Sequence, residues 1–348
     1  MDIDRANEIM DDVKEKIELG LQDLKKKIKE SNLKIKNSWN KSMDNLKVTF
    51  AKVKSSKIFK FNPFDPSSWE DSDNFEPENP PSATLTIETF EELRNHNTEE
   101  LALKQLNELA IDLKSLDASQ LTEAPRNCFI LCNTYNKPQY KLGVGPLNDS
   151  ITVAANHKRM GYTVYFLHNP TSDVFLKYLP IFLQKTTQHL TVFYTGHGAN
   201  VKDLNNDEKD GLDEVIVFDE NYITDDELAK IVRQNASGKA KVILLNDCCH
   251  SGTIWDLPTD IEKAKQFPAN IICISAANDD EQAKQGRRGF NDQGFFTFLL
   301  FQEVRTNKAV NPRDIQSKIT NLLVSYNQRV VVTPTRPELL DQPLFPQD

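Results

Sequence analysis

Lys241 to Gly252 reads Lys-Val-Ile-Leu-Leu-Asn-Asp-Cys-Cys-His-Ser-Gly. Val242 to Leu245 is an unbroken apolar run of strand-forming residues, the pattern of a central strand covered on both faces. The run stops abruptly at polar, reactive side chains. Ligands of open α/β sheets bind outside the carboxyl ends of such strands, so Cys248, Cys249 and His250 stand where a reactive group is useful. A second run, Thr191 to Tyr194, stops the same way at Thr195-Gly196-His197-Gly198. Parallel pairing of these two strands would bring a thiol and an imidazole to one rim, the parts of a cysteine nucleophile and its base.

Outward from this pair, strand and helix patterns alternate from about Asn127 onward. Strands are expected at Cys128 to Cys132, Thr163 to Leu167, Val215 to Phe218, Ile271 to Ser275 and Val330 to Val332. Helices are expected at Pro146 to Met160, Val174 to Gln184 (broken), Asp225 to Gln234, Gly294 to Val304 and Pro312 to Val324. Such alternation implies right-handed crossovers and an α/β fold with a mostly parallel sheet flanked by helices.

The chain has 348 residues, 39% hydrophobic and 27% charged, enough for one sizeable α/β domain with an appendage. No apolar stretch approaches the roughly 18 residues of a membrane span, and Met1-Asp2-Ile3-Asp4-Arg5 lacks a secretory apolar core, so an intracellular chain is expected. Five cysteines, Cys128, Cys132, Cys248, Cys249 and Cys273, are an odd number lying mostly on expected strands, which opposes a disulfide framework. Adjacent Cys248 and Cys249 do not make the separated ligand pairs of a zinc site.

Net charge is −9, unevenly spread: residues 1–60 carry 15 Lys and Arg against 10 Asp and Glu, leaving the remainder acidic. Ile3, Met10, Ile17 and Leu24 recur every seven residues there, the apolar stripe of an amphipathic helix. Its interspersed acids argue for a solvated face rather than a nucleic-acid surface. Four organisational pieces are expected: a basic helical leader (1–60), a Pro, Ser and acid-rich linker (61–86), a helical segment with Thr86 as a cap (87–126), and the α/β body (127–348). The body is divisible into a large part (127–257) and a small part (258–348).

His197 lies 52 residues before Cys249, framed by Gly196 and Gly198. An unmodified thiol titrates at about 8.5 and is mostly neutral at cell pH, so a nucleophilic Cys249 needs an imidazole beside it. Glycines either side of His197 allow a peptide to approach closely, and the amides of Gly198 and Cys249 are the expected oxyanion donors. Cys128, Cys132 and Cys273, within strands, are read as small core hydrophobes. His96, His157, His168 and His189 lack a matching partner and are read as structural, and His250 is expected to point away.

Tyr194-Thr195-Gly196-His197-Gly198 together with Asp247-Cys248-Cys249-His250-Ser251-Gly252 resembles the paired motif of metacaspases, caspase-like cysteine proteases of protists, fungi, plants and bacteria. Caspase-type proteases keep their His about 50 residues upstream of the Cys, which agrees. Gly145-Pro146-Leu147-Asn148-Asp149 is similar to the family's Gly-Cys-x-Asn-Asp segment, with Pro146 in place of Cys. Ser275 to Ala283 and Arg336-Pro337-Glu338-Leu339 are similar to the opening and closing of its small subunit. The resemblance, to a type I-like member with an N-terminal extension, covers about three fifths of the chain.

That resemblance implies a caspase-like fold and an endopeptidase that cuts after Arg or Lys, with Asp149 and Asp247 as the acidic pocket for the P1 side chain and Thr195 beside them. Carboxylates there complement a cation and repel an acidic P1. The resemblance also implies calcium at Asp213, Asp225, Asp226 and Asp256, and a monomer. On the residues alone these acids read as a solvated face. The segment from Asp203 to Glu214 fails as an EF-hand because Glu208 replaces the turn glycine. Family behaviour further implies a zymogen: the leader covers the cleft until cut near Lys57 or Lys60, with Lys284, Arg287 and Arg288 as a second processing segment. Two other readings compete, an Asn-specific legumain-like protease and a partner-binding scaffold acting through its N-terminal helix.

Overall fold

The computed structural model describes residues 98–202, 212–248, 254–258, 260–276, 285–288, 291–323 and 328–347. The leader, the linker, Lys57, Lys60, Cys249, His250 and Lys284 therefore lie outside the described residues. So does most of the EF-hand-like stretch.

Helix α1, Glu99–Leu109, is capped by Thr98, whose side chain accepts from the Leu101 amide, and carries Glu99 and Glu100 in its first turn. Helix was expected to run on to Leu116, but strand β1, Ile111–Asp112, begins two residues past the helix and pairs in parallel with a later strand. Strand β2, Ala124–Cys132, is followed by helix α2, Gly145–Arg159, strand β3, Thr163–His168, and helix α3, Ser172–Lys185. The last is continuous through Pro180, not broken. Strand β4, Thr186–Thr195, then leads to a small antiparallel sheet of β5, Gly198–Lys202, β6, Leu212–Val217, and β7, Tyr222–Thr224.

Helix α4, Asp225–Asn235, returns the chain to strand β8, Lys241–Asp247. A short helix α5, Ile261–Ala264, precedes strand β9, Ile271–Ser275. Strands β10, Gln285–Arg288, and β11, Asn291–Gly294, form a separate hairpin. Helices α6, Phe295–Thr306, and α7, Pro312–Leu323, and strand β12, Val331–Pro334, complete the body.

The main sheet runs β1-β3-β2-β4-β8-β9-β12. All its described pairs are parallel except β9 with β12, so the mostly parallel sheet flanked by helices is borne out. Alternate residues feed two cores, one on each face. Ile243 and Leu245 of β8, Ile130 of β2 and Ile272 of β9 face one, together with α1, α2, α6 and α7. Val242 and Leu244, Phe129 and Ile271 face the other, with α3 and α4. Burial on both sides is why these strands are continuous apolar runs.

From β2 the chain crosses to β3 on one side, while from β4 it proceeds to β8 on the other. The carboxyl ends of neighbouring β2 and β4 thus flank a topological switch point, where open α/β sheets hold their ligands. A satellite cluster of Tyr135, Tyr140, Ala199, Val201, Val215 and Val217 fastens the small sheet above that crevice. No described helix is long and apolar enough to cross a membrane.

Candidate active site

Strands β4 and β8 end in register, Thr195 opposite Asp247. His197 is two residues past one member of that pair, and Cys249 is two residues past the other. Cys249 itself is outside the described residues. Its neighbour Cys248 is buried in the second core with Ile254 and Trp255. The indole Nε1 of Trp255 donates to Asn246 Oδ1 at 2.8 Å, and Asn246 Nδ2 donates to Ser275 Oγ at 3.1 Å. This fully buried network ties Trp255 to β8 and β9, and satisfied buried polar groups of this kind fix one geometry.

His197 is held through its backbone. Its amide donates to Tyr135 Oη at 2.7 Å, and its carbonyl accepts from Tyr194 Oη at 2.6 Å and from the Val217 amide at 3.2 Å. Tyr135 Oη passes its own hydrogen to the Val217 carbonyl at 3.1 Å. Burial pushes both phenols above their usual range, so they serve as neutral hydroxyls. Between them runs Gly196, where a Cβ would meet Tyr194 Oη at 2.8 Å and Tyr135 Oη at 2.9 Å. Glycine is required there by close approach.

The side chain is fixed too. His197 Nε2 lies 2.9 Å from the Tyr140 carbonyl, and a carbonyl can only accept, so Nε2 carries the hydrogen and Nδ1 the lone pair. The Tyr135 ring lies against the imidazole, centroids 4.8 Å apart. Burial lowers the imidazole pKa to about 4, against a smaller opposing effect of the Tyr140 carbonyl, which keeps the ring neutral at neutral pH. Tyr140 is in turn aimed by Asp219, whose carboxylate accepts from the amides of Asn136 and Lys137 and from Asn136 Nδ2. Tyr135 holds a left-handed backbone (φ 63°) because Asn169 Oδ1 accepts from the amides of both Thr134 and Tyr135.

Asp149 in the first turns of α2, Thr195 at the end of β4 and Asp247 at the end of β8 come together, all buried. Asp149 Oδ1 accepts from the Gly294 amide at 3.0 Å. Asp247 Oδ2 accepts from the Thr297 amide at 3.1 Å and its hydroxyl at 2.6 Å. Burial raises the Asp149 carboxyl well above the usual range, helped by the charge of Asp247. Burial raises Asp247 to about 6, with the Thr297 hydroxyl and amide holding it down. Among the described residues, Asp149 Oδ2 and Thr195 Oγ1 are buried without a hydrogen-bond partner.

Gly198, the expected oxyanion donor, opens β5 opposite Ile216 and is buried. Of the expected calcium residues, Asp213 lies in β6, and Asp225 and Asp226 open α4. Asp225 Oδ2 accepts from the Glu214 amide at 3.2 Å and Oδ1 from the Asp226 amide at 2.8 Å. Asp225 is raised to about 9 by burial and by the Glu214 charge, a pairing that a divalent cation would relieve. Asp256 follows Trp255 at φ 38°. The donors are hard oxygens, as calcium requires, but among the described residues no three acidic or other ligating side chains converge. Arg287 and Arg288 close β10 opposite Asp292 and Asn291.

The sequence reading did not single out Tyr135, Tyr140, Gly294 or Thr297. Their partners at the site lie 50 or more positions away in the chain, so no local spacing marks them.

Residues 145–258 match the family model described as metacaspase, peptidase C14 domain. Metacaspase-1B of Neurospora crassa is 45% identical over 69 residues, 19% of this chain and 16% of that protein. Metacaspase-1 of Saccharomyces cerevisiae is 41% identical over 73 residues, 20% of this chain and 17% of the relative. The matches thus span less than a fifth of those relatives' lengths. Among solved structures, a Geobacter sulfurreducens protein, GSU0716, aligns at TM-score 0.49 with 22% identity, over 64% of this chain and 98% of that one. Caspase-1 from Spodoptera frugiperda aligns at TM-score 0.44 with 11% identity, over 62% and 89%. The resemblance to metacaspases expected from the paired motifs is borne out over the matched residues.

Proposed function

We propose that this chain, similar to metacaspases over residues 145–258, is a cysteine endopeptidase that cuts peptide bonds after Arg or Lys. One observation carries the reading: His197, its Nε2 spent on the Tyr140 carbonyl and its Nδ1 bearing the lone pair, follows Thr195 by two residues, and Thr195 is in register with Asp247, which precedes Cys249 by two. In this mechanism the Cys249 thiol gives its proton to His197 Nδ1 as Sγ attacks the carbonyl carbon of the P1 residue. The amide of Gly198, with that of Cys249, receives the oxyanion. As the C–N bond breaks, the proton passes from Nδ1 to the leaving amine, giving an acyl-enzyme. Water then attacks the thioester, its proton goes to Nδ1, and the S–C bond breaks to restore the thiol and release the acid. His197, neutral at rest, is in the form that can take a proton at Nδ1.

The acids Asp149 and Asp247, with Thr195, form the P1 pocket in this reading. A guanidinium or ammonium satisfies the idle Asp149 Oδ2 and Thr195 Oγ1 and balances the charge of Asp247. Calcium, held by Asp213, Asp225, Asp226 and Asp256, would supply positive charge that relieves the pairing of Asp225 with Glu214. Terbium luminescence and a calcium-dependent rise in melting temperature, both lost in Asp225→Asn, test this without reference to activity. Autoprocessing at Lys57, Lys60, Lys284, Arg287 or Arg288 completes the proposal, with the leader acting as a pseudo-substrate and the mature enzyme a monomer inside the cell. Reducing surroundings suit it, since the described cysteines are thiols outside any disulfide.

Fluorogenic peptides with Arg, Lys, Asn or Asp at P1, with and without calcium, test the activity against Cys249→Ala and His197→Ala. Cleavage after Arg and Lys that disappears in both variants is expected. Cleavage after Asn alone would make the enzyme legumain-like, and wild-type inertness toward every peptide would leave a scaffold.

A further inference from the structure

Helix α6 lacks a cap of its own. Its N-cap residue is Gly294, which has no side chain to turn back on the first turn. The orphan amides of that turn are served from elsewhere in the chain: Thr297 N–H reaches Asp247 Oδ2, and Gly294 N–H reaches Asp149 Oδ1. The two carboxyls come from the end of β8 and the start of α2, and one four-residue stretch holds both. Contact is so close that a Cβ at Gly294 would lie 2.2 Å from Asp247 Oδ2 and 3.0 Å from Asp149 Oδ2.

We infer that the first turn of α6 sets the aim and charge of the P1 pocket, with Thr297 as its specificity-determining positioning residue. The inference rests on the reading of Asp149 and Asp247 as that pocket. Thr297 is suited to the role because it gives two hydrogens, amide and hydroxyl, to one carboxylate oxygen. Amides at a helix N-terminus favour the charged form of an adjacent carboxylate. Asp247, which receives the Thr297 amide and hydroxyl on one oxygen, stays the ionisable member, whereas at Asp149 burial and the charge of Asp247 outweigh the Gly294 amide and the nearby Gln293 and Thr195 side chains. The pair therefore carries about one negative charge at neutral pH instead of two mutually repelling ones, which matches a single cationic side chain. Among the described residues the titratable groups that face each other here are Asp149 and Asp247, with the Cys132 thiol beside Asp149 raised to about 12 by burial and so uncharged; Thr195, Gln293, Gly294 and Thr297, which pack on them from β4, β11 and α6, are neutral.

The test uses the full chain and Arg peptides, with Thr297→Val, Thr297→Ser and Asp247→Asn. Loss of a hydroxyl bond to a charged group is worth roughly tenfold, so Thr297→Val should raise KM about tenfold with little change in kcat. It should also move the acid limb of kcat/KM to higher pH, and Thr297→Ser should restore both. Alkylation of Cys249 by iodoacetamide, read by peptide mass, should proceed at the wild-type rate in all three, which a general loss of structure would not allow. If Thr297→Val does not fold, Thr297→Ala, which keeps the amide bond, carries the same expectations. Wild-type KM and acid limb in the Thr297 variant, alongside loss of Arg cleavage in Asp247→Asn, would overturn the inference and leave the pocket reading intact. Undiminished Arg cleavage by Asp247→Asn would overturn the pocket reading and the inference with it.

Discussion

The hydroxyl of Tyr135 stands 2.7 Å from the backbone amide of His197 and accepts its hydrogen. The same oxygen donates to the Val217 carbonyl, so one phenol bridges the loop after β2, the loop after β4 and the small sheet. The imidazole is therefore located partly by contacts to its own peptide, with the Tyr140 carbonyl holding Nε2.

Tyr135→Phe keeps the ring against the imidazole and removes only this bridge. A buried amide left without an acceptor costs about 1–3 kcal/mol. Urea unfolding should show a loss of that size, and kcat on Arg peptides should fall several-fold with KM nearly constant. An unchanged kcat would mean that His197 does not depend on this bond for its position.

Gly294→Ala places a methyl where Asp247 Oδ2 stands 2.2 Å away and its Cγ 2.8 Å away. Those neighbours are hydrogen-bonded and buried, so they cannot swing aside cheaply. Overpacking of this kind costs about 1–3 kcal/mol. A lower melting temperature together with a raised KM for Arg peptides is expected, and a stable variant with normal KM would show that α6 can shift without disturbing the pocket.

Trp255→Phe deletes the donor to Asn246 Oδ1 in a fully buried site. Stability should fall by about 1–3 kcal/mol. Because Asn246 and Trp255 flank Cys249 in the chain, kcat should fall as well. Stability loss with intact kcat would separate the anchor from the chemistry.

Acid stability carries a signature of its buried histidines. His157, whose Nδ1 donates to the Val153 carbonyl and whose Nε2 accepts from Thr191 Oγ1, is held neutral by burial with its pKa lowered to about 4. A lowered folded-state pKa means that the unfolded chain binds the extra proton first. The stabilisation is present above about pH 6.5 and is lost as pH falls toward 4. His168, lowered to about 4 by burial and by neighbouring Lys114, acts in the same direction. Asp149 and Asp247, raised by burial, act oppositely, favouring the folded state at low pH and losing that contribution as pH rises. Replacing His157 by Phe should flatten the dependence of unfolding free energy on pH between 6.5 and 4 by about 1.4 kcal/mol per pH unit, the value for one proton. An unaltered slope would rule out His157 as its source.

Much of the fold is legible from sequence because its signals are local. The apolar runs at Thr191 to Tyr194 and Val242 to Leu245, each cut short by polar residues, mark the two central strands, and the helices between them follow from spacing. Strands β1, β5, β7, β10 and β11 were not anticipated. They are short or polar, and partners found only after folding make them strands. The residues that hold the site were hidden for the same reason: Tyr135 meets His197 across 62 positions, and Gly294 meets Asp149 across 145.

By itself, then, the sequence determined which long apolar segments become strands of the main sheet, the motifs at the rim of two of them, and the resemblance those motifs carry. Runs and spacings are written along the chain, and short-range sterics and hydrophobicity suffice to decode them. Only the tertiary structure decided which nitrogen of His197 bears the hydrogen, and that a capless helix borrows two aspartates and thereby fixes their charges. Those outcomes depend on burial and on donors brought from distant segments, and neither exists until the sheet closes over its two cores.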